Sequence, residues 1–306
     1  MTVRADLAFW QIRALQPRKT TMTALIRRRP LMAFFVLAYV GSWVTWSPWW
    51  LSQSGVGVLH FQLPFSAIAG INQLGLFAGP FAAALLVTRI TEGRDGLRRL
   101  LRRIVQWRAH PAWYLLALVA IPLATGIGYL LAPGTSLAPE GGGIAVLGLL
   151  TTTYLIYLLG GPIQEEPGWR GFALPLLQER LHPMTAALVL GAIHCVWHAP
   201  LFLTDEWDTP RQDPTQLLAY LVLVVSMSIA MSWLANGSRG SLMLVILGHN
   251  GINWALFAAG TLTGQPIANN WPAALGLAGL AIITIAATRG RLGLQAQARE
   301  EERRSR

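Results

Sequence analysis

Apolar stretches close to the ~20 residues needed to cross a bilayer recur along the whole chain. They fall at roughly 30–51, 66–90, 111–132, 144–164, 184–203, 216–235, 241–260 and 272–289. In hydrocarbon a backbone N–H or C=O finds no water, so a spanning segment must satisfy its own backbone. Apolar runs of this length therefore dictate helices, and the chain reads as all-α: a polytopic membrane bundle of about eight transmembrane helices. Composition agrees, with only 12% charged residues against the ~25% of an ordinary soluble domain. That excludes a soluble core with one anchor. A basic segment at 1–29 precedes the helical domain at 30–289, and a charged tail occupies 290–306.

A formal net charge of +10 would suggest nucleic acid in a soluble protein. Here the arginines gather in a few loops, as positive-inside topology requires, so no nucleic-acid partner is expected. Arg27, Arg28 and Arg29 abut the first apolar run, and 89–108 carries Arg94, Arg98, Arg99, Arg102 and Arg103. Both segments, and the basic tail, read as cytoplasmic. The acidic loop at 204–215, with Asp205, Glu206 and Asp208, reads as an external, solvated patch. The expected location is the inner membrane, multi-pass, with both termini in the cytoplasm. The first apolar run does not read as a cleaved signal peptide, because no small-residue cleavage site follows it. Trp43, Trp46, Trp49 and Trp50 cluster at its outer end, as an interfacial aromatic belt would. The single cysteine, Cys195, permits no internal disulfide.

Three short polar segments interrupt this apolar background: Glu165 to Arg170 (EEPGWR), His194 to His198 (HCVWH) and His249 to Asn253 (HNGIN). An ionisable group in a membrane core costs about 2.5–3.5 kcal/mol on insertion scales, so such groups mark partners or chemistry. Glu165 and Glu166 are adjacent, about 100° apart on a helix, and should do different jobs. Arg170 lies four residues after Glu166, the spacing of a same-face ion pair. Glu165 would then face a cavity, available as a general base. An ordinary charge cluster at a helix end explains the same residues equally well.

His194 and His198 share a helical face, suited to water activation or metal ligation, or to a pair of satisfied core histidines. The helical zincin signature is absent, because no glutamate follows the first histidine. His249 and Asn253 repeat the spacing of four. They can donate to a developing oxyanion or form a polar helix-packing pair; Asn250 is the weaker candidate. His110 and His182 each precede a proline at the start of a span, where capping is explanation enough. The fourth span runs into EEPGWRGFALPLLQ. It reads as one long or kinked helix over about 147–180, bent at Pro162, Pro167 and Pro175. The alternative is a helix ending near Gly161 with the glutamates on an interfacial helix.

EEPGWRG resembles the EExxxR signature of the CPBP intramembrane proteases, which include the CAAX prenyl endopeptidases and bacterial Abi proteins. WHAP at Trp197 to Pro200 is similar to the family's second motif and picks out His198. His249 and Asn253 match its HxxxN/D motif, and all three motifs occur in family order across about 144–260. His194 departs from the pattern, standing where the family usually has an aromatic residue, and ranks second to His198. The resemblance implies an eight-helix bundle whose site opens to the cytoplasm. It implies that Glu165 and His198 activate a water, that His249 and Asn253 stabilise the oxyanion, and that Glu166 and Arg170 support them. The expected substrate is a membrane-embedded or lipid-anchored protein or peptide in the bilayer. No cofactor is expected; if a metal is bound it is zinc, on Glu165, His198 and His249. The rival readings are a transporter whose polar residues line a path and a non-catalytic immunity or scaffold protein of the same fold. A transporter of this size often carries internal pseudo-symmetry, and none is visible in the sequence.

Overall fold

A computed structural model of the protein describes residues 21–132, 135–137, 142–207, 213–263 and 269–294. The first 20 residues, most of the tail from 295 and Asp208 of the acidic loop lie outside the described residues. Among the described residues the architecture is helical, with no strand. A short helix α1 (Met22–Arg28) leads into α2 (Pro30–Trp50). Then come α3 (Phe65–Thr91), α4 (Gly93–Ile104), α5 (Pro111–Leu130) and α6 (Gly143–Leu159). Helix α7 covers 162–178, followed by α8 (Pro183–Trp197), α9 (Pro214–Gly237), α10 (Leu242–Thr263) and α11 (Trp271–Thr288).

Among the described residues seven candidate spans are long and apolar enough to cross a membrane: α2, α3, α5, the joined α6–α7 stretch, α9, α10 and α11. Helix α8 is apolar but has only 15 residues, about 22 Å at 1.5 Å per residue. It is prolonged by a 3₁₀ turn at Leu201–Leu203. Together these account for the eight apolar stretches. Leucines, isoleucines and valines on the outer faces stay exposed, among them Val36, Leu147, Leu155, Ile282 and Ile283. These are the faces lipid would cover.

Local chemistry sets the helix ends. His110 and His182 cap α5 and α8, their ring nitrogens accepting from the N–H groups of Ala112 and Met184, with proline at the next position. The segment 89–108 is not a plain loop. It contains α4, whose inner face buries Gly96 and Leu100. Arg103 at its end points inward and donates to the carbonyls of Gly240 (2.7 Å), Gly171 (2.8 Å) and Arg170 (3.3 Å). Burial lowers the guanidinium pKa from its ordinary value. The fork geometry of arginine, with five donors and no acceptor, suits it to satisfying several carbonyls at once.

The tryptophans of α2 do not form a lipid-facing belt. Trp46 and Trp49 are buried, and Trp43 and Trp50 are half-buried. Trp46 packs on Trp197 of α8 with ring centroids 4.9 Å apart, and Trp49 Nε1–H donates to Glu206 (3.0 Å). Indoles bury large apolar area and need one partner for the N–H, so they serve a helix interface as well as a membrane surface. Sequence position alone does not separate the two roles.

The fourth span is broken, not merely bent. Helix α6 ends at Leu159, and Gly161 (φ −174°, ψ −81°) caps α7. Pro162 takes the first position of α7, where its missing N–H costs nothing. Non-helical backbone at membrane depth is tolerated only where protein or a cavity receives it. Here Gln164 Nε2 donates to Leu159 O (2.6 Å) and Gln73 Nε2 to Gly160 O (2.9 Å); Gln164 also donates to Gln73 Oε1 (3.0 Å). Two amides, Gln164 buried and Gln73 half-buried, thus satisfy carbonyls the break leaves free. Helix α7 then continues through a π-helical turn at Trp169–Ala173. The break falls at Pro162 and the π-helical turn between Pro167 and Pro175, and the glutamates do not lie on an exposed interfacial helix, because both are buried.

Candidate active site

The break delivers Glu165 to the first turn of α7, at the positive end of that helix's dipole. Helix α3 is kinked at Gly79 (φ −84°, ψ −112°), and glycine at position 168 lets α7 approach that kink, since a Cβ there would lie 2.7 Å from Pro80 O. Arg103 holds the other end of the motif through the Arg170 and Gly171 carbonyls.

Helix α8 brings the two histidines, and α2 fixes its C-terminal turn. The last carbonyls of a helix lack intrahelical partners. Trp43 Nε1 donates to Trp197 O (2.8 Å), Tyr39 OH to Ile193 O (2.5 Å), and His198 Nδ1 to His194 O (3.1 Å). Trp197 Nε1 donates back to Ser42 Oγ (2.9 Å). The rings of His194 and His198 stack at 5.2 Å, and Trp169 lies 4.8 Å from His194. Trp197, Trp207 and Tyr220 pack around His198. With Nδ1 committed to a carbonyl, Nε2 of His198 is the nitrogen left for water or substrate.

The two glutamates have separate partners. His194 Nε2 lies 2.8 Å from Glu165 Oε2, and with an ionised carboxylate it donates. Glu166 Oε1 receives both Arg170 Nη1 (2.8 Å) and His249 Nδ1 (2.6 Å). Glu166 and Arg170 are wholly buried, the pair that the spacing of four predicts. Asn253 lies one turn beyond His249 on α10. The space off the α-carbon of Gly161 is bounded by Asn253 Nδ2 and Glu165 Oε1. Asn250 takes no part; its Nδ2 donates to Tyr154 O (3.2 Å) and ties α10 to α6.

The geometry thus gathers Glu165, His194, His198, His249 and Asn253 around α7, with Glu166 and Arg170 behind them. It gives His194 a direct contact with Glu165, whereas the motif comparison ranks it behind His198. It also regroups the metal-capable set. One ligand atom each from Glu165, His194 and His198 lies within 4.8 Å of the others, while His249 is turned to Glu166. Gln73, Gln164 and Ser42 are supporting residues that motif reading passed over. For the two glutamines the available signal was an amide inside or beside an apolar run; the Ser42 hydroxyl gave none.

The fold and the site together define a class: a multi-pass membrane bundle that buries carboxylates, imidazoles and amides at a broken helix, a set whose chemistry suits the activation of water. Residues 147–255 match the family model described as type II CAAX prenyl endopeptidase Rce1-like. That segment contains every candidate residue of the site. The chain is also 24% identical over 228 residues to CAAX prenyl protease 2 of Methanococcus maripaludis, covering 72% of this chain and 81% of the relative. Over the segment that carries its site, the chain is thus similar to the CPBP intramembrane proteases.

Proposed function

We propose that this protease hydrolyses a peptide bond in a membrane-embedded or lipid-anchored protein, with Glu165 as the base. The observation that carries this reading is the Glu165–His194 hydrogen bond beside the Asn253 amide. Glu165 takes the proton of a water that His198 helps to hold. The water attacks the scissile carbonyl, and Asn253 and His249 donate to the resulting oxyanion; its collapse breaks the C–N bond as Glu165 passes the proton to the departing amine. His249 donates there only when both ring nitrogens carry protons, because Nδ1 is already engaged; Asn253 donates in any protonation state. His194 orients Glu165, and Glu166 with Arg170 orients His249. The names of the family model and of the archaeal relative refer to CAAX prenyl substrates, so a lipid-modified C-terminal segment is the first substrate class to test.

The mechanism needs no metal. Glu165, His194 and His198 resemble a zinc donor set, but using Glu165 as a ligand would remove the free base. Glu166 cannot replace it while Arg170 and His249 hold the same oxygen. The enzyme resides in the inner membrane with both termini in the cytoplasm, a placement supported by the arginines of α4 and those before α2. The test is quantitative proteomics of membrane and released fractions from wild-type and Glu165→Gln strains. Fragments found only with wild type are expected. Identical fractions at equal protein abundance would remove the hydrolytic role of Glu165.

A further inference from the structure

Gly161 does more than break a helix. A Cβ built on it would meet Asn253 Nδ2 at 3.5 Å, Glu165 Oε1 at 3.9 Å and Tyr157 O at 4.0 Å. All three are ordinary van der Waals distances, so a methyl there clashes with none of the atoms beyond its chain neighbours. It would, however, occupy the space between the base and the oxyanion donor. Glu165 Oε1 faces that space because Oε2 is turned to His194. A reacting carbonyl must lie about 3 Å from both an oxyanion donor and the attacking oxygen. The space beside Gly161 is bordered by the donor, Asn253 Nδ2, and by Glu165 Oε1, the base that takes the proton of the attacking water.

We infer that Gly161 is the floor of the substrate site, against which the scissile peptide lies in direct backbone contact. The inference rests on the assignments of Glu165 and Asn253. It makes Gly161 a positioning residue with a steric job: a bare α-carbon lets the substrate carbonyl approach between Glu165 and Asn253, and any side chain displaces it. The neighbouring glycine differs, since a Cβ on Gly160 would press on Ile156 O at 2.9 Å. Its smallness serves the break itself. Gly148, on the same α6 segment, has nothing within 4 Å of its Cβ position and is the matched control.

The experiment uses the full chain in its host membrane, with the cleaved set defined by wild type against Glu165→Gln. Gly161→Ala, Gly148→Ala, Asn253→Ala and the Gly161→Ala/Asn253→Ala pair are compared at matched abundance, with thermal midpoints measured in detergent. Gly148→Ala should cleave as wild type. Gly161→Ala should keep its midpoint and lose about 10²-fold in cleavage rate, the scale of an ~1 Å misplacement of a reacting group. In the Asn253→Ala background the added methyl should cost much less, because neighbouring sites that share one partner are not additive. Wild-type cleavage by Gly161→Ala overturns the inference. So does a loss that follows a fall in midpoint, or two effects that simply multiply. If the Glu165→Gln strain matches wild type, the base assignment falls and takes the inference with it; a dead Glu165→Gln beside an active Gly161→Ala removes the inference alone.

Discussion

Glu165 and Glu166 are neighbours in the chain but are bound to different helices: Glu165 Oε2 lies 2.8 Å from His194 on α8, and Glu166 Oε1 lies 2.6 Å from His249 on α10. A helix turns about 100° per residue, so adjacent carboxylates diverge into separate environments. One faces Gly161 and the Asn253 amide, and the other is locked in a buried ion pair. This division of labour makes the two glutamates experimentally separable.

On the Glu165 side, the histidines should respond differently. His194→Phe removes a donor to a charged acceptor, worth about 1.5–3 kcal/mol, so turnover should fall roughly 10- to 100-fold while the protein still folds. His198→Ala should be inactive, since it removes the nitrogen facing the water. Both should behave the same with and without a chelator, and wild-type turnover should survive exhaustive chelation. Loss of wild-type activity in chelator, restored by zinc, would replace the metal-free mechanism.

On the Glu166 side the consequence is stability. Arg170→Ala leaves a wholly buried carboxylate with His249 as its remaining partner. Breaking a buried pair typically costs about 3–5 kcal/mol. Folded yield and thermal midpoint should drop accordingly. Neutralising both partners, as in Glu166→Gln with Arg170→Met, should recover part of the loss, because no unpaired charge remains. A double variant less stable than Arg170→Ala would contradict this account.

The reach of the sequence follows from which physical signals are local. The bundle was legible because apolar length is a property of single segments. The Glu166–Arg170 pair was legible because a spacing of four fixes a shared face. His110 and His182 as caps were legible from the prolines after them. Three features depended on other parts of the chain. The break at Gly160–Gly161 is stabilised by Gln73, almost ninety positions away in the sequence. Trp46 and Trp49 are buried because α8 and the 204–207 segment cover them. His194 reaches Glu165 only through the packing of α7 on α8, a contact that motif spacing does not encode.

Topology offers an independent check. Exposed arginines of α4 and the arginines before α2 should lie on the cytoplasmic side, because Lys and Arg near span ends set orientation. Reporter fusions within Gly93–Ile104 and after residue 290 should read cytoplasm, and a fusion at 204–207 should read the opposite face. An external signal from the α4 fusion would invert the arrangement and place the opening of the site on the wrong side for a cytoplasmic substrate.

Asn253 provides the sharpest test of the oxyanion site. Its Nδ2 borders the gap beside Gly161, and unlike His249 it is not tied to Glu166. Removing one oxyanion donor typically costs about 10²–10³ in turnover. Asn253→Ala should therefore lower kcat by about that factor and leave KM nearly unchanged, because the donated bond strengthens only as charge develops. Asn253→Asp should retain more activity than the alanine variant if the carboxyl enters the site protonated and donates in place of the amide. That rescue should then fade as pH rises and the carboxyl ionises, since a carboxylate opposite an oxyanion repels it. Rate constants across pH for the three proteins decide the matter. A rise in KM at constant kcat would assign Asn253 to substrate binding and leave the oxyanion to His249.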